Sequence, residues 1–360
     1  MSDREELLGV FLKRTGWGRA VLRSVSVDAS SRRYIRLDMG KHKAILMDAP
    51  TRGETDGADR DAKVDDRRSS GYSAMARLAG PNIKAFVCIA HQLFIRGFSV
   101  PDIYDVDFQN GFVLLEDYGI NLFARAIELD AKTEKLLYEA AVDTLAAIYR
   151  SSFFPDFSHQ KTVWRVMDYD ETALLAEMDL CLDWYAPDVE RNISAAARDI
   201  FSDLWRGAFQ HLSAHAPGLC LRDFHAENLF WLPERQATSR VGLIDFQDAL
   251  FVHPAYDLTS LLEDIRRDVD IAEFEPLKQR FCEKAGLAYD ENFRTAYAVL
   301  STQRATKLLG FTVRADRAFG KPQYRALLPR AKRHLQRHLS HPVLRGIQSW
   351  YALHIPEVLR

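Results

Sequence analysis

Cysteine is scarce in this 360-residue chain and never clustered. Cys88, Cys181, Cys220 and Cys282 stand far apart without a C-x-x-C pair, which excludes a disulfide framework and a cysteine-based structural zinc site. Four buried thiols in a reducing cytosol are the expectation. Long apolar runs are missing too. The amino terminus "MSDREELLGVFLKRTGW" is charged and then amphipathic, without a secretory apolar core, and no later stretch approaches the ~20 apolar residues that span a bilayer. These absences point to a soluble cytoplasmic protein without a membrane partner. Nor is there an excess of one charge: the formal net charge of −2 excludes a general polyanion binder, since nonspecific nucleic-acid affinity comes from neutralising phosphates. Apolar and charged residues, at 47% and 27%, are ordinary for a globular chain of one large domain or two lobes.

The order of elements changes along the chain. "AVLRSVSV" and "RRYIRLDM" alternate apolar and polar residues around the turn "DASS", and "KAILMDAP" is a short apolar run stopped by proline, so residues 20 to 50 read as strands. About half of residues 51 to 70 are charged and few are apolar, the composition of a mobile loop. A helix follows in "IKAFVCIAHQLFIRG", closed by Gly97, and "VPDIYDVDF" and "GFVLLEDYG" form a strand pair turned by "QNG". Beyond residue 120 helices dominate. "TEKLLYEAAVDTLAAIYR" carries Leu137, Ala141, Leu145 and Ile148 as a core-facing stripe, and "DYDETALLAEMDLCLDWY" and "ARDIFSDLWRGAFQHLSAH" are amphipathic in the same way. The short apolar runs "GLCL" and "RVGLID" interrupt the series.

Between these runs lies "LCLRDFHAENLFWL", Leu219 to Leu232, with an unusual density of polar groups. Asp223 and Asn228 are five residues apart, and Asp245 ends the following apolar run in "GLIDFQDAL". A hard cation such as magnesium takes oxygen ligands, and a separate aspartate beside it can orient a hydroxyl and accept its proton. Asp-x-x-x-x-Asn followed by a strand ending in Asp matches the phosphoryl-transfer template of protein kinases: catalytic base first, then two magnesium ligands. Singly, Asp223 or Asn228 would serve as well as a turn cap. His225 reads as a loop-packing residue, because no second imidazole is spaced to share a metal.

"RDFHAENL" and "LIDFQDALFVHPAYDLTSLLED" resemble the signature of the aminoglycoside phosphotransferase and choline kinase superfamily. "DASSRRYIRL", "LMDAP" and "TQRATKLLGFTVRADRAFGKPQYRALLP" are most similar to its bacterial cell-wall sugar kinases, which phosphorylate N-acetylmuramate and N-acetylglucosamine at the anomeric hydroxyl. The resemblance implies an α+β, protein-kinase-like two-lobed fold, with a small antiparallel-sheet lobe and a mostly helical lobe. It implies ATP and Mg2+ as cofactors. Residues 1–116 would form the nucleotide-binding lobe with a hinge following, and 117–360 the helical lobe with the catalytic loop and acceptor site. By position, Asp223 would be the base, Asn228 and Asp245 the magnesium ligands, and Asp257 a helix-start brace for the loop. Glu116, Asp117 and Tyr118 would be the connector whose backbone meets adenine, and Asp248 a neighbour of the metal or a surface turn residue.

Three positions depart from the kinase pattern. Leu221 stands where protein kinases have histidine, a swap that serves if the ring only packs. Met47 in "AILM" occupies the position of the strand lysine, and Gln92 is a neutral candidate for the helix residue that would pair with it. Another cation must then meet the phosphates, and Arg33 or Lys43 would supply it. No G-x-G-x-x-G is present; Ser30 and Ser31 in "DASSRR", with the exposed amides of that turn, would form the anion nest instead.

Two clusters bear on the acceptor. Asp168, Asp170, Glu171, Glu177 and Asp179 would attract an amine-rich substrate, whereas Arg304, Lys307 and Arg314 share one helical face that would meet an anionic substituent; each is equally a solvated helix face. Trp164, Trp184 and Trp231 are stacking candidates or core. The basic run "RALLPRAKRHLQRHLSHP" is a solvated helix rather than a nucleic-acid contact. The expected activity is an ATP- and magnesium-dependent phosphotransferase acting on a small-molecule hydroxyl, an amino sugar first. The alternatives are an aminoglycoside or amino-alcohol kinase of the same fold and a noncatalytic nucleotide-binding module.

Overall fold

Alternation in the first fifty residues builds a sheet. The computed structural model describes residues 3–25, 32–50 and 62–360. Strands β1 (Val21–Val25), β2 (Arg33–Met39), β3 (His42–Asp48), β4 (Ile103–Asp107) and β5 (Phe112–Glu116) form one antiparallel sheet in the order β1-β2-β3-β5-β4. The period-2 pattern sends Leu37, Ala44, Leu46, Phe112 and Leu114 to one face, where Phe11 and Leu12 of the helix Asp3–Arg14 close a core over them. The "QNG" signal marks the β4–β5 turn: Gly111 has φ +71°, and a Cβ there would collide with the carbonyl oxygen of Ala49.

The chain divides into two compact units. One comprises Met1–Ala131, Phe154–Val166 and Glu227–Asp248; the other comprises Lys132–Phe153, Met167–Ala226 and Ala249–Arg360. The first holds the sheet and the helix Ile83–Phe94, beyond which Gly97 at φ +83° turns the chain away. It also holds the hairpin Asp156–His159/Thr162–Arg165, whose four-residue strands are too short to register as a sequence pattern. The second is mostly helical. Its helices Glu134–Arg150, Glu171–Leu180 and Ala195–Phe209 agree with the apolar stripes, and Leu137, Ala141, Leu145 and Ile148 are all buried. The helix Glu291–Phe319, 29 residues long, is the main buried element.

One expectation needs correcting. Residues 64–70 of the charged segment form a helix, Val64–Ser70, not a loop. Arg67 is buried and donates to the carbonyls of Ala74 (3.2 Å) and Met75 (2.5 Å), so a charged side chain anchors the helix by satisfying backbone oxygens. Composition counts such a residue as solvated. The turn holding Ser30 and Ser31, and residues 51–61, lie outside the described residues.

Candidate active site

In the helical unit, strand Gly218–Cys220 pairs with Leu250–Val252, and the chain then turns sharply at Arg222, whose φ is +69°. A non-glycine residue keeps that conformation only where its surroundings over-determine it. Asp257, near the start of the helix Ala255–Leu262, supplies the constraint. Its carboxylate accepts the amides of Leu221 (2.6 Å) and Arg222 (2.9 Å) and the thiol of Cys220 (3.0 Å). Burial pushes the Asp257 carboxyl up to about 6, against the pull of these donors. Leu221 is buried, as a residue that only packs should be.

Asp223 follows the turn with its carboxylate partly open to solvent. Desolvation pushes this group up, but the Arg304 guanidinium, then Lys307, His225 and Arg222, outweigh it and hold it down to about 2. Asp223 is therefore a carboxylate at any physiological pH. His225 is buried, and burial with the Arg266 charge brings it down to about 4, against Asp264 and Asp223, so its ring is neutral.

Asn228 and Asp245 belong to the sheet-bearing unit, Asn228 immediately before strand Leu229–Trp231 and Asp245 two residues after strand Val241–Leu243. Leu229 pairs with Leu243, and the Ile244 amide donates to the Asn228 carbonyl at 3.2 Å, which brings Asp245 up beside Asn228. Asn228 Nδ2 lies 3.3 Å from Asp245 Oδ2, and Gln247 Nε2 donates to Asp245 Oδ1 at 2.9 Å. Asp245 has φ +59°, and the next residue, Phe246, is buried and stacked on Phe86 with ring centroids 4.9 Å apart. One carboxylate and one carboxamide side by side offer the oxygen donors that a hard divalent cation such as magnesium takes. Asp248 is not a free surface residue: its Oδ1 accepts the Ala79 amide at 2.6 Å.

The connector uses its side chains structurally. Glu116 accepts from Arg235 (2.7 Å) and from the Asp102 amide (3.2 Å); Asp117 accepts from Arg36 (2.9 Å) and the Gly119 amide (2.8 Å). Tyr118 packs edge-on to Phe230 and beneath Arg235. The three positions thus present a braced backbone.

The cations of this unit are arranged differently from the sequence expectation. Met47 is fully buried and paired across the sheet with Tyr34 and Val113, so the lysine position is core. Arg33 and Arg4 both bind the buried carboxylate of Asp48, and Lys43 is exposed. Gln92 takes no part in any such pair: it donates to the Ser158 carbonyl (3.2 Å) and accepts from Arg96 (2.8 Å). Arg32, which the sequence reading passed over, is buried and donates to the Gly80 carbonyl at 2.6 Å, one residue from the amide held by Asp248. The Tyr34 hydroxyl feels both Asp245, which pushes its pKa up with burial, and Arg32, which opposes. Two adjacent arginines of opposite burial give no sequence signal of which one is inside.

The proposed acceptor clusters divide between surface and interior: Asp168 and Glu171 are exposed, whereas Glu177 and Arg304 are buried. Glu177 is fully buried and bound by Arg222, Tyr169 and Lys307 (2.6 Å to the last). Burial pushes its carboxyl up, but Lys307 and Arg222 hold it below the ordinary range. Asp170 caps its helix through the Ala173 amide, and the exposed Glu171 pairs with Arg206. Arg304 is buried against the Arg222 carbonyl (3.2 Å), and Arg314 lies beside Phe319. Trp231 stacks edge-on to Phe123, a packing contact, and the basic carboxy-terminal helix pairs Arg330 and Arg333 with Asp268. All four cysteines are buried and free.

Known proteins place this chemistry. The chain is 36% identical to an N-acetylmuramate/N-acetylglucosamine kinase of Caulobacter vibrioides, over 99% of this chain and 98% of the relative. It is 27% identical to a kinase of the same name from Pseudomonas putida, over 91% of this chain and 86% of that one. A solved choline/ethanolamine kinase family protein from Mesorhizobium loti shares the kinase-like fold, with a TM-score of 0.58 at 14% identity, covering 96% and 97% of the two chains. Residues 21–294, a stretch running from the first strand of the sheet past Asp223, Asn228, Asp245 and Asp257, match the phosphotransferase enzyme family, and the chain belongs to it.

Proposed function

We propose that the protein is an ATP- and magnesium-dependent kinase that transfers the γ-phosphoryl group to the anomeric hydroxyl of N-acetylmuramate or N-acetylglucosamine. The observation that carries the acceptor is the end-to-end match to the Caulobacter kinase. The reaction class rests on the family and on the site chemistry. Asp223, kept ionised by its cationic neighbours, would orient the acceptor hydroxyl and take its proton. A carboxylate of such low basicity suits a hydroxyl that loses its proton late, as in a loose phosphoryl-transfer transition state, and a hemiacetal hydroxyl is more acidic than an ordinary alcohol. Asn228 and Asp245 would hold magnesium, which when bound bridges phosphate oxygens and neutralises their charge. The braced backbone at 116–118 would receive adenine, with Ser30 and Ser31 near the phosphates. Of the arginines, Arg32 is better placed than Arg33 to offset phosphate charge, because Asp48 already engages Arg33.

On this reading residues 1–116 form the nucleotide-binding lobe with the hinge following, 117–360 carry the catalytic loop and the acceptor site, and the protein works in the cytoplasm. Among the described residues no helix is long and apolar enough to cross a membrane. Capture of Glu177 by Arg222 and Lys307 takes one carboxylate away from the segment that favoured an aminoglycoside acceptor. The test is turnover with ATP and magnesium against N-acetylmuramate, N-acetylglucosamine, their 1-O-methyl glycosides and an aminoglycoside. Transfer to the free sugars but not to the glycosides is expected; transfer to the glycosides would move the product phosphate elsewhere on the ring.

A further inference from the structure

The helix Glu291–Phe319 carries a guanidinium, that of Arg304, into an interior where its side chain is 6% exposed. A buried charge is costly unless it is paired and hydrogen-bonded, and the partners of this one lie in the catalytic turn. Nη1 donates to the carbonyl oxygen of Arg222 at 3.2 Å, Nη2 lies 3.8 Å from Asp223 Oδ1, and the guanidinium stands 5.8 Å from the centroid of the Tyr256 ring. The two other cations nearby are committed elsewhere. Arg222 turns its side chain to Glu177, and Lys307 binds the same carboxylate at 2.6 Å.

We propose that Arg304 is a positioning residue: its planar fork spans the left-handed Arg222 peptide and the Asp223 carboxylate, and so fixes the direction in which the base faces the acceptor. The proposal rests on reading Asp223 as the base. The Arg222 peptide is then clamped on both sides, its amide by Asp257 and its carbonyl by Arg304, from two different helices. Two donor directions set at a fixed angle suit guanidinium; a lysine ammonium at this position can supply the charge but not the planar fork. Electrostatics agrees with the contact. Arg304 is the foremost of the cations that lower Asp223, with Lys307 on the same helix and Arg222 on the loop itself; the neutral His225 also faces it, with Arg266 and Asp264 behind that ring.

The test uses the full chain with Arg304→Met, which keeps the apolar stem, and Arg304→Lys, which keeps the charge. The Asp223 carboxyl is followed by 13C NMR titration and assigned by its disappearance in Asp223→Asn. In Arg304→Met its midpoint is expected to rise from about 2 by roughly one to three units, the effect of losing an opposite charge at this range. In Arg304→Lys it should return most of the way. For both variants kcat is expected to fall, by about 100-fold in Arg304→Met as for a misplaced reacting group, with the KM for ATP unchanged. A folded Arg304→Met with an unmoved midpoint overturns the proposal. So does an Arg304→Lys variant with wild-type kcat and pH profile, which decides the matter if Arg304→Met does not fold. Because the titration needs no acceptor, a shifted midpoint in a protein inactive on every amino sugar supports the contact and removes the assigned substrate instead.

Discussion

Asp257 offers the sharpest test of how the catalytic turn is held. Its carboxylate is buried and accepts two backbone amides, at 2.6 Å and 2.9 Å, besides the Cys220 thiol. Asp257→Ala strands both amides away from water, and each orphaned donor costs about 1–3 kcal/mol. The two together come to about 2–6 kcal/mol, a large share of the ~5–15 kcal/mol that holds a typical domain folded. Asp257→Asn should be milder, since one oxygen can still accept while its amide nitrogen faces a second donor. Urea unfolding followed by tryptophan fluorescence measures the loss, and kcat measured well below the unfolding midpoint measures the effect on the turn. The expected pattern is a stability loss in the order Ala greater than Asn, with kcat reduced in both and the KM for ATP unchanged. A loss below about 1 kcal/mol in Asp257→Ala would mean that the two amides find other partners, and the bracing argument would fail.

Asp223→Asn should cut transfer by about 10²–10⁴-fold, the range for loss of a general base, while equilibrium dialysis shows ATP binding intact; retained turnover would remove Asp223 from the role. Met47→Lys places an ammonium in a fully buried strand position, so it should lower the thermal midpoint rather than raise activity. A stable, faster Met47→Lys enzyme would mean that the strand position still reaches the phosphates.

The candidate triplet could be named from the sequence because its spacing is local. Asp223, Asn228 and Asp245 are set by short spacings around two apolar runs, and the Leu229–Leu243 register turns that spacing into the contact between Asn228 and Asp245. The sheet was legible for the same reason, since Leu37, Ala44 and Leu46 of the paired strands Arg33–Met39 and His42–Asp48 share one buried face. The helix Val64–Ser70 was not. Its anchor is Arg67, and whether an arginine is solvated or buried depends on carbonyls seven and eight residues on, which composition does not weigh. The hairpin Asp156–Arg165 was missed because its two four-residue strands are too brief to show a period.

Charges on the helix Glu291–Phe319 mark a deeper limit. Arg304 and Lys307, three apart, are what an exposed basic stripe looks like, yet Arg304 is buried and Lys307 is half-buried. The difference is made by Glu177, 130 positions from Lys307, and by a loop 82 positions from Arg304. Pairing over such distances leaves no trace in periodicity. It nevertheless sets the electrostatics of the candidate site, because the two foremost groups that lower Asp223, Arg304 and Lys307, lie outside the motif. A chain that kept "RDFHAENL" but lost the cation at position 304 would retain every local motif. Its base would be stronger and less firmly aimed.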